Sequence, residues 1–418
     1  MLPVLKLSWA LFVGIALIML GNGLQTSLLG LRASLEGFPT AATGIIMSAF
    51  YVGFLAGSKF TPRIVSKVGH IRVFAAWSSM ASVSILMHGL FVEPIFWTLM
   101  RFVTGFCYAG LYVVAESWLN DRADNKTRGQ LLSLYMITQY IGLSGGQLLL
   151  NVALPTEIYL FVLTSALISM ALVPISLTAN AVQPPLAQES LALRKLIKLS
   201  PLGVVTCFAA GLTTGALLGM GVVFAEDVGL SVGETSIFMA VLILGAVIFQ
   251  FPMGRISDFF DRRKIIALVN ILALGVMVLA IYSLDFGATW LLPMIFVVGG
   301  ITMPLYALGV AYTNDDLRPA QMVAASSSLV LLFGIGASFG PIGVAAAMSL
   351  FGPPGFFAAI ALVHLAVALF AILRILISTP RDPDKQSRFQ AVGSTMALRL
   401  RQRMRRRQDD TSASGPKR

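Results

Sequence analysis

Long apolar stretches, each broken by a short polar turn, run through nearly the whole chain. Twelve such stretches fall at 8–30, 41–60, 73–92, 95–119, 130–152, 158–178, 201–224, 236–253, 265–283, 289–312, 323–348 and 354–377. Most approach or exceed the roughly 20 residues that cross a bilayer as a helix. Runs such as Leu11–Leu20 show no two-residue alternation, which excludes the roughly 10-residue alternating segments of a membrane barrel. Backbone groups in hydrocarbon must be satisfied within their own segment, so all twelve stretches are predicted to be helices.

A constant offset relates the two halves. The segment PRIVSKVGHIRVFA from Pro62 to Ala75 lies 192 positions before the one that starts GRISDFFDRR at Gly254. The same offset pairs Asn22 and Gly23 with Thr214 and Gly215, and Gly142 with Gly334. One offset that aligns turns and spans together predicts a duplicated six-span unit. The expected fold is therefore an all-α membrane protein of twelve transmembrane helices in two pseudo-symmetric six-helix bundles. The expected divisions are a first bundle at 1–179, a cytoplasmic linker at 180–199, a second bundle at 200–378 and a basic cytoplasmic tail at 379–418. The linker carries Pro184 and Pro185, and then Arg194, Lys195 and Lys198 on a short surface helix.

Composition agrees, with 57% hydrophobic and only 12% charged residues. With the N-terminus in the cytoplasm, all 30 Lys and Arg except Arg32 and Arg101 fall in cytoplasmic segments or span ends. Asp227, Glu234 and Asp285 lie in outer turns that lack basic residues. This bias predicts that both termini are inside. The net charge of +11 then reports an inner face opposed to anionic lipid and gives no indication of nucleic-acid binding. The LRLRQRMRRR run of the tail, Leu398–Arg407, reads equally as a site for anionic headgroups or as a disordered topology tag. The apolar stretch after Lys6 is long and lacks a small-residue cleavage pattern, so the first span is expected to remain.

Two local patterns carry candidate chemistry. In the turn of the second repeat, Gly254 permits close helix approach and Asp258 lies near the inner end of its span. A carboxylate there suits a neighbouring helix N-terminus. Arg262 and Arg263, with Lys264, are expected to hold the turn at the headgroups. These groups form a candidate gate that latches the bundles, with a simple topology anchor as the alternative. In the first repeat Pro62 and Ser66 replace the glycine and the acid, leaving Gly69 and Arg72, with Lys67 and His70, as the corresponding element.

The second pattern is in span four. Arg101, Gly105, Tyr108, Tyr112 and Glu116 recur at helical spacing on one face. A charge at membrane depth faces the bundle interior or a watery cavity. Arg101 therefore either binds a substrate anion, controls a nearby proton site, or serves structurally against Asn22, Gln25 or Thr26. Glu116 lies about 22 Å further along the helix, at 1.5 Å per residue. It reads either as half of an inner salt-bridged gate, with Lys67, Arg72 or Arg128, or as a protonatable coupling site. Asn22 and Gln25 in span one, Tyr135 and Gln139 on one face of span five, and Tyr140, Gln147 and Asn151 on another outline a polar cavity. Thr213, Thr214, Gln250 and Tyr306 contribute from the second half. The first half is visibly more polar and is expected to supply most recognition.

The turn GRISDFFDRR and RFVTG, Arg101 to Gly105, resemble the signatures of the major facilitator superfamily. VGHIRVFA (Val68–Ala75), AGLYVVAESWLN (Ala109–Asn120), SLYMITQY with GGQLLLN (Ser133–Asn151) and FGIGASFGP (Phe333–Pro341) are similar to its bacterial YcaD-like branch. The resemblance spans about residues 8–378. It implies a secondary transporter of the bacterial inner membrane, working by alternating access on a small-molecule solute and functional as a monomer. Two departures stand out: the first-repeat turn lacks its acid, and IGLSGG, Ile141–Gly146, lacks the glycine-proline of the antiporter members.

Other classes fit less well. A channel needs a continuous polar line or rings of charge, and neither appears. His70, His88 and His364 sit in distant segments without metal-ligand spacing, and Cys107 and Cys207 fall inside spans without paired spacing. No phosphate-binding loop is present, so no ATP site and no other cofactor is expected. An apolar drug or lipid exporter, and a non-transporting sensor that uses the basic tail, remain as alternatives to a proton-coupled or facilitated solute carrier.

Overall fold

The computed structural model describes residues 2–122, 128–177, 193–286, 288–315, 317 and 319–377. It is helical, with no strands among those residues. The first half contains α1 (Leu2–Leu35), α2 (Thr40–Val68), α3 (His70–Leu90), α4 (Pro94–Arg122), α5 (Arg128–Leu148), and a sixth span broken into α6 (Tyr159–Met170) and α7 (Leu172–Ser176). A short surface helix, α8 (Leu193–Leu199), follows. It buries Leu196 and exposes Arg194, Lys195 and Lys198, as expected of the end of the linker. The second half contains α9 (Pro201–Asp227), α10 (Val232–Phe259), α11 (Arg262–Tyr282), a tenth span broken into α12 (Ala288–Thr302) and α13 (Leu305–Asn314), then α14 (Pro319–Phe351) and α15 (Pro354–Ile377). Much of the linker and all of the basic tail, with its expected lipid contacts, lie outside the described residues.

Among the described residues, eleven helical segments are long and apolar enough to cross a membrane. The twelfth expected span is α5, where Tyr135, Thr138, Gln139, Tyr140, Ser144 and Gln147 interrupt the apolar residues. Several helices run past their predicted ends. α2 continues through Pro62 to Val68, and α10 through Pro252 and Asp258 to Phe259. The sharp turns are therefore short: Gly69 in the first repeat, with φ +89°, and Phe260 with Asp261 in the second.

The two halves repeat one packing plan. In the first, α2 packs on α4, α1 on α5, and α3 on α4 and α6. In the second, α10 packs on α12, α9 on α14, and α11 on α12 and α15. Close approaches at glycine make these contacts. A Cβ on Gly53 or Gly105 would run into the backbone of Phe102 or Phe50 across the α2–α4 contact, and one on Gly245 would run into Phe296 across α10–α12. Gly23 meets α5 at Leu143, and its mate Gly215 meets α14 at Ala337. In lipid, where apolar surface gains little from helix association, such small-residue packing holds helices together.

Between the halves, α2 lies against α14, α5 against α10 and α1 against α9. Polar contacts across this interface gather toward the end of the molecule where α1 stops. The Ser34 hydroxyl donates to Glu226 over 2.5 Å, joining two positions 192 apart. Asn151 donates to Ser236 over 2.6 Å, and Ser144 to the Ala240 carbonyl over 3.4 Å. Gly44 fits against Pro341 and Ala345 at the same end.

Asp261 caps α11, accepting from the Arg263 N–H at 3.0 Å and pairing with the Arg263 guanidinium at 2.7 Å. Burial alone would raise its carboxyl, but the Arg263 hydrogen bonds outweigh burial and hold it below the usual carboxylate range. A depressed folded-state value contributes stability above the unfolded value of about 4, and that contribution is lost as pH falls through the lower folded value. Asp261→Ala is therefore expected to cost about 1 kcal/mol at neutral pH. Thermal unfolding of purified protein should show the difference from wild type shrinking as pH falls below about 4.

Candidate functional site

Arg101, Tyr108 and Tyr112 lie on a face of α4 turned to α2. Gly105 permits this closeness. The Arg101 guanidinium lies 4.7 Å over the ring of Phe50 and donates weakly to the Met47 sulfur at 3.7 Å. It is only 2% exposed, and its Nε and Nη1 have no hydrogen-bond partner. The expected span-one partners Asn22, Gln25 and Thr26 do not reach it. Its surroundings come from α2, α3 and its own helix: Tyr51, Tyr108 and His88 lie within electrostatic range. His88 was read from sequence only as an isolated imidazole. It sits edge-on to Trp97, with Nδ1 at 2.6 Å from the Ser84 carbonyl oxygen.

An aromatic ladder connects this region to mid-depth. Phe50 lies 6.0 Å from Tyr108, Tyr108 lies 6.3 Å from Tyr112, and Tyr112 lies 5.7 Å from Phe54. Asn22 of α1 donates to the Tyr112 hydroxyl at 3.3 Å. Gln25, one turn further along, is fully buried and neither its amide oxygen nor its nitrogen has a partner. The Tyr108 hydroxyl is likewise without one.

At the other end of the face, Glu116 is half-buried and accepts from the Tyr135 hydroxyl at 3.5 Å. Gln139, one turn along α5, hydrogen-bonds that hydroxyl too. The expected salt-bridged inner gate does not form among the described residues: Lys67 and Arg72 are exposed and Glu116 makes no ion pair. The α4 helix turns Glu116 inward, while Lys67 and Arg72 flank Gly69 at the surface. The Arg128 side chain lies outside what is described. Tyr306 of α13, in the second bundle, lies within electrostatic range of Glu116. Tyr306 packs edge-on against Phe333 of α14 at 4.9 Å. Gly334 in turn lies against Leu55 of α2, which places this part of α14 at the interface between the halves.

The basic turn differs from its expected setting. Arg262 and Arg263 are held in ion pairs and only 1% and 2% exposed, although Lys264 is exposed. Three carboxylates draw the two guanidinia inward. Arg262 bridges Asp258 at 2.8 Å and Asp315 at 2.5 Å, and also donates to the Ala311 carbonyl. It thereby ties α10 and α11 to the end of α13 within one bundle, where a cross-bundle capping partner for Asp258 was expected. Gly254 is buried nearby, its carbonyl accepting from Ser257. In the first repeat, His70 occupies the position of Arg262 and reaches Ser117 of α4 at 2.9 Å.

One polar chain escaped sequence reasoning. His364 of α15 lies 2.8 Å from the Asn270 amide oxygen of α11 and 3.3 Å from the Thr213 hydroxyl of α9. Each is a lone polar residue in an apolar span, and nothing along the chain signals that they meet. Among the described residues no His, Cys, Asp and Glu cluster could hold a metal.

Two stacked, duplicated helix bundles around a buried polar seam define a membrane transporter. Residues 202–408 match the family model described as Major Facilitator Superfamily, and residues 13–154 match Sugar (and other) transporter. The "Uncharacterized MFS-type transporter YcaD" of Salmonella typhi is 27% identical over 373 residues, 88% of this chain and 96% of that protein. Its namesake in Escherichia fergusonii is 27% identical over 334 residues, 79% of this chain and 86% of that one. The nucleoside transporter NupG shares the fold with TM-score 0.75 at 15% identity, over 89% of this chain and 100% of that chain. A bacterial homolog of the human lysosomal transporter Spinster shares it with TM-score 0.71 at 15% identity, over 88% and 95% of the two chains. The chain belongs to the major facilitator superfamily, in its YcaD-like branch. It is a multi-pass membrane transporter of a small-molecule solute and not an enzyme.

Leaving donors of a buried cation unpaired costs about 1–3 kcal/mol. Arg101→Met, which keeps the bulk against Phe50 and Met47, is accordingly expected to raise the apparent unfolding temperature of purified protein. A lowered temperature would mean that the guanidinium is fully partnered in the resting state.

Proposed function

We propose that the chain is a proton-coupled secondary transporter that works by alternating access, with Glu116 as the coupling carboxyl. The observation that carries this reading is the setting of Glu116. It is half-buried within a candidate membrane span, hydrogen-bonded by a tyrosine, unpaired with any described cation, and within electrostatic range of Tyr306 in the other bundle. A carboxyl so placed has a reason to exchange protons with a pathway, whereas a gate would hold it in an ion pair. Asn22, Gln25, Tyr108, Tyr112, Tyr135 and Gln139 then form the recognition side in the first bundle. Gly69, Arg72, Gly254, Asp258, Arg262 and Arg263 hold the turns that each bundle rocks on.

In this reading both termini are cytoplasmic and the membrane is the bacterial inner membrane. The bundle contacts at Ser34, Ser144 and Asn151 then close the outer side, and the seam opens inward. The first bundle (1–179) and second bundle (200–378) move as units about the 180–199 linker, and the protein works as a monomer.

Orientation is tested by accessibility. Cysteines placed at the exposed positions Glu36 and Lys67, with Cys107 and Cys207 replaced, should react oppositely with an impermeant maleimide in intact cells. Glu36→Cys should label and Lys67→Cys should not; the reverse result overturns the assignment.

Coupling is tested in proteoliposomes, by screening a metabolite panel for solute-driven changes in luminal pH. Wild type should accumulate its solute when a pH gradient is imposed. Glu116→Gln, which keeps the shape but cannot ionise, should lose accumulation by tenfold or more and keep exchange between equal compartments. Equal accumulation with and without a gradient would remove proton coupling and leave facilitated diffusion.

A further inference from the structure

One face of α2 changes character along its length. Ile45 and Val52 are exposed and apolar. Lys59, Arg63 and Lys67 continue the same stripe at helical spacing, and all three are exposed. No charge interrupts α2 before Lys59, so Thr40 to Ser58 supplies roughly the 20 residues that hydrocarbon requires. The three cations then climb about 12 Å of helix at 1.5 Å per residue. A headgroup layer is thinner, about 5–8 Å on each side of the hydrocarbon. Lys59 therefore reaches the headgroups by extending its chain along the helix.

Among the described residues none of the three forms an ion pair. The parallel neighbour α4 sets Phe106 beside Gly57 and Gly110 beside Thr61. The end of α4 is thus level with the turn at Gly69, and Lys59 and Arg63 lie above it. The second bundle supplies an internal comparison. At the 192-residue offset the three positions become Phe251, Arg255 and Phe259, all exposed on α10. The packing of α2 and α10 is duplicated, so the fold does not require the cations. Topology is served by basic residues at the turn, and it does not call for a row of them up a stripe that is apolar above.

The stripe borders the interface between the halves. Leu55, one turn before Lys59, meets Gly334 of α14, and Gly44 meets Ala345, so these helices run antiparallel. On that register the exposed Leu331 of α14 lies close to the level of Lys59. An anion on the cations would have apolar surface directly above it, from Val52, Ile45 and Leu331. Arg63 suits a phosphate, because its planar fork holds two oxygens at once, and the lysines on either side add point charges.

We infer that this stripe is a binding site for an anionic membrane phospholipid. Its phosphate lies on Lys59, Arg63 and Lys67, and its acyl chains lie along Val52 and Ile45. The site sits at the edge of the α2–α14 seam and has no equal on α10. It stands whether or not transport is coupled to protons.

A fluorophore on Val52→Cys, with Cys107 and Cys207 replaced, reports which lipid occupies the stripe when the acyl chains carry bromine as a quencher. Full-length protein is reconstituted in mixtures of brominated and plain lipid. Brominated phosphatidylglycerol is expected to occupy the site at least fivefold in preference to brominated phosphatidylcholine, since each cation near the surface favours anionic lipid by about fivefold. Lys59→Gln, Arg63→Gln and Lys67→Gln together should bring that ratio to about one. Lys59→Arg with Lys67→Arg keeps the charges and should keep the preference, which separates a lost site from a misfolded protein. Leu244, also exposed, is the mate of Val52 on α10. A probe on Leu244→Cys should show at most half of the preference. Millimolar inorganic phosphate should leave the quenching at position 52 unchanged.

Equal occupancy by the two lipids at position 52, or a preference that survives the triple glutamine variant, overturns the inference. Loss of the preference on changing Arg194, Lys195 and Lys198 of α8 to Gln also overturns it, because net charge alone would then select the lipid. Displacement of phosphatidylglycerol by inorganic phosphate would assign the cations to a soluble anion, and the lipid site would fall.

Discussion

The α2–α4 contact, drawn tight at Gly53 and Gly105, is the constraint on which the candidate site depends. In hydrocarbon, helices gain little by hiding apolar side chains from lipid that is equally apolar. What holds them is dispersion between closely approaching backbones, and glycine allows the closest approach. With Gly105 seated on Phe50, the face that carries Arg101, Tyr108, Tyr112 and Glu116 is pressed toward α2 and the seam. A side chain at 105 would push the helices apart and separate Arg101 from Phe50 and Tyr112 from Phe54. The equivalent approach at Gly245 builds the same scaffold in the second bundle without the charges. Duplication has thus kept the packing and let the chemistry diverge between the copies.

That divergence is clearest at the two turns. Position 262 holds Arg, buried between Asp258 and Asp315, and position 70 holds His, buried against Ser117. Both side chains reach from the start of the third span of a bundle to the end of the fourth. The role of fastening these spans is conserved, but the second copy does it with ion pairs and the first with an imidazole. Breaking a buried pair by removing one partner is costly, since the remaining charge is stranded. Removing Asp258 or Asp315 would therefore leave the buried Arg262 guanidinium short of a partner in the second bundle.

Much of the architecture was legible along the chain because its signals are periodic or repeated. Apolar runs mark the spans, and the 192-residue offset marks the duplication. Among the described residues α5 departs from the pattern, because its polar residues Tyr135, Gln139 and Gln147 lower its hydropathy. The face of span four was equally legible, since helical spacing places residues on a face without knowledge of their neighbours. What lay beyond reach was partnership. Arg101 sits against Met47 and Phe50, and Glu116 against Tyr135, because of how helices cross, and a basic turn close in sequence is a poor guide to that. The inward burial of Arg262 and Arg263 was hidden for the same reason: Asp315 lies 53 positions away. Charge composition signals an interfacial turn, and only the fold shows that carboxylates have drawn the cations in.

Arg101 and Glu116 together suggest why one helix carries both of the site's charges. They sit about 22 Å apart along α4 at 1.5 Å per residue, too far to neutralise each other, and the ladder of Tyr108 and Tyr112 lies between. In the state described, the interface is closed at the end nearest Arg101, and its guanidinium is buried with two nitrogens unpaired. Glu116, toward the other end, retains partial exposure. Opening the closed end would hydrate the orphaned guanidinium and recover the cost of its burial, while closing the other end would dehydrate the carboxyl. The cost of burying an ionised carboxylate falls when it binds a proton. In the proposed cycle, occupancy of Glu116 would lower the barrier to closing the end that it faces, and hydration of Arg101 would favour opening the other. In that proposed cycle, a helix with a charge near each end, each exposed in the opposite state, would couple occupancy to access without any contact between the two groups.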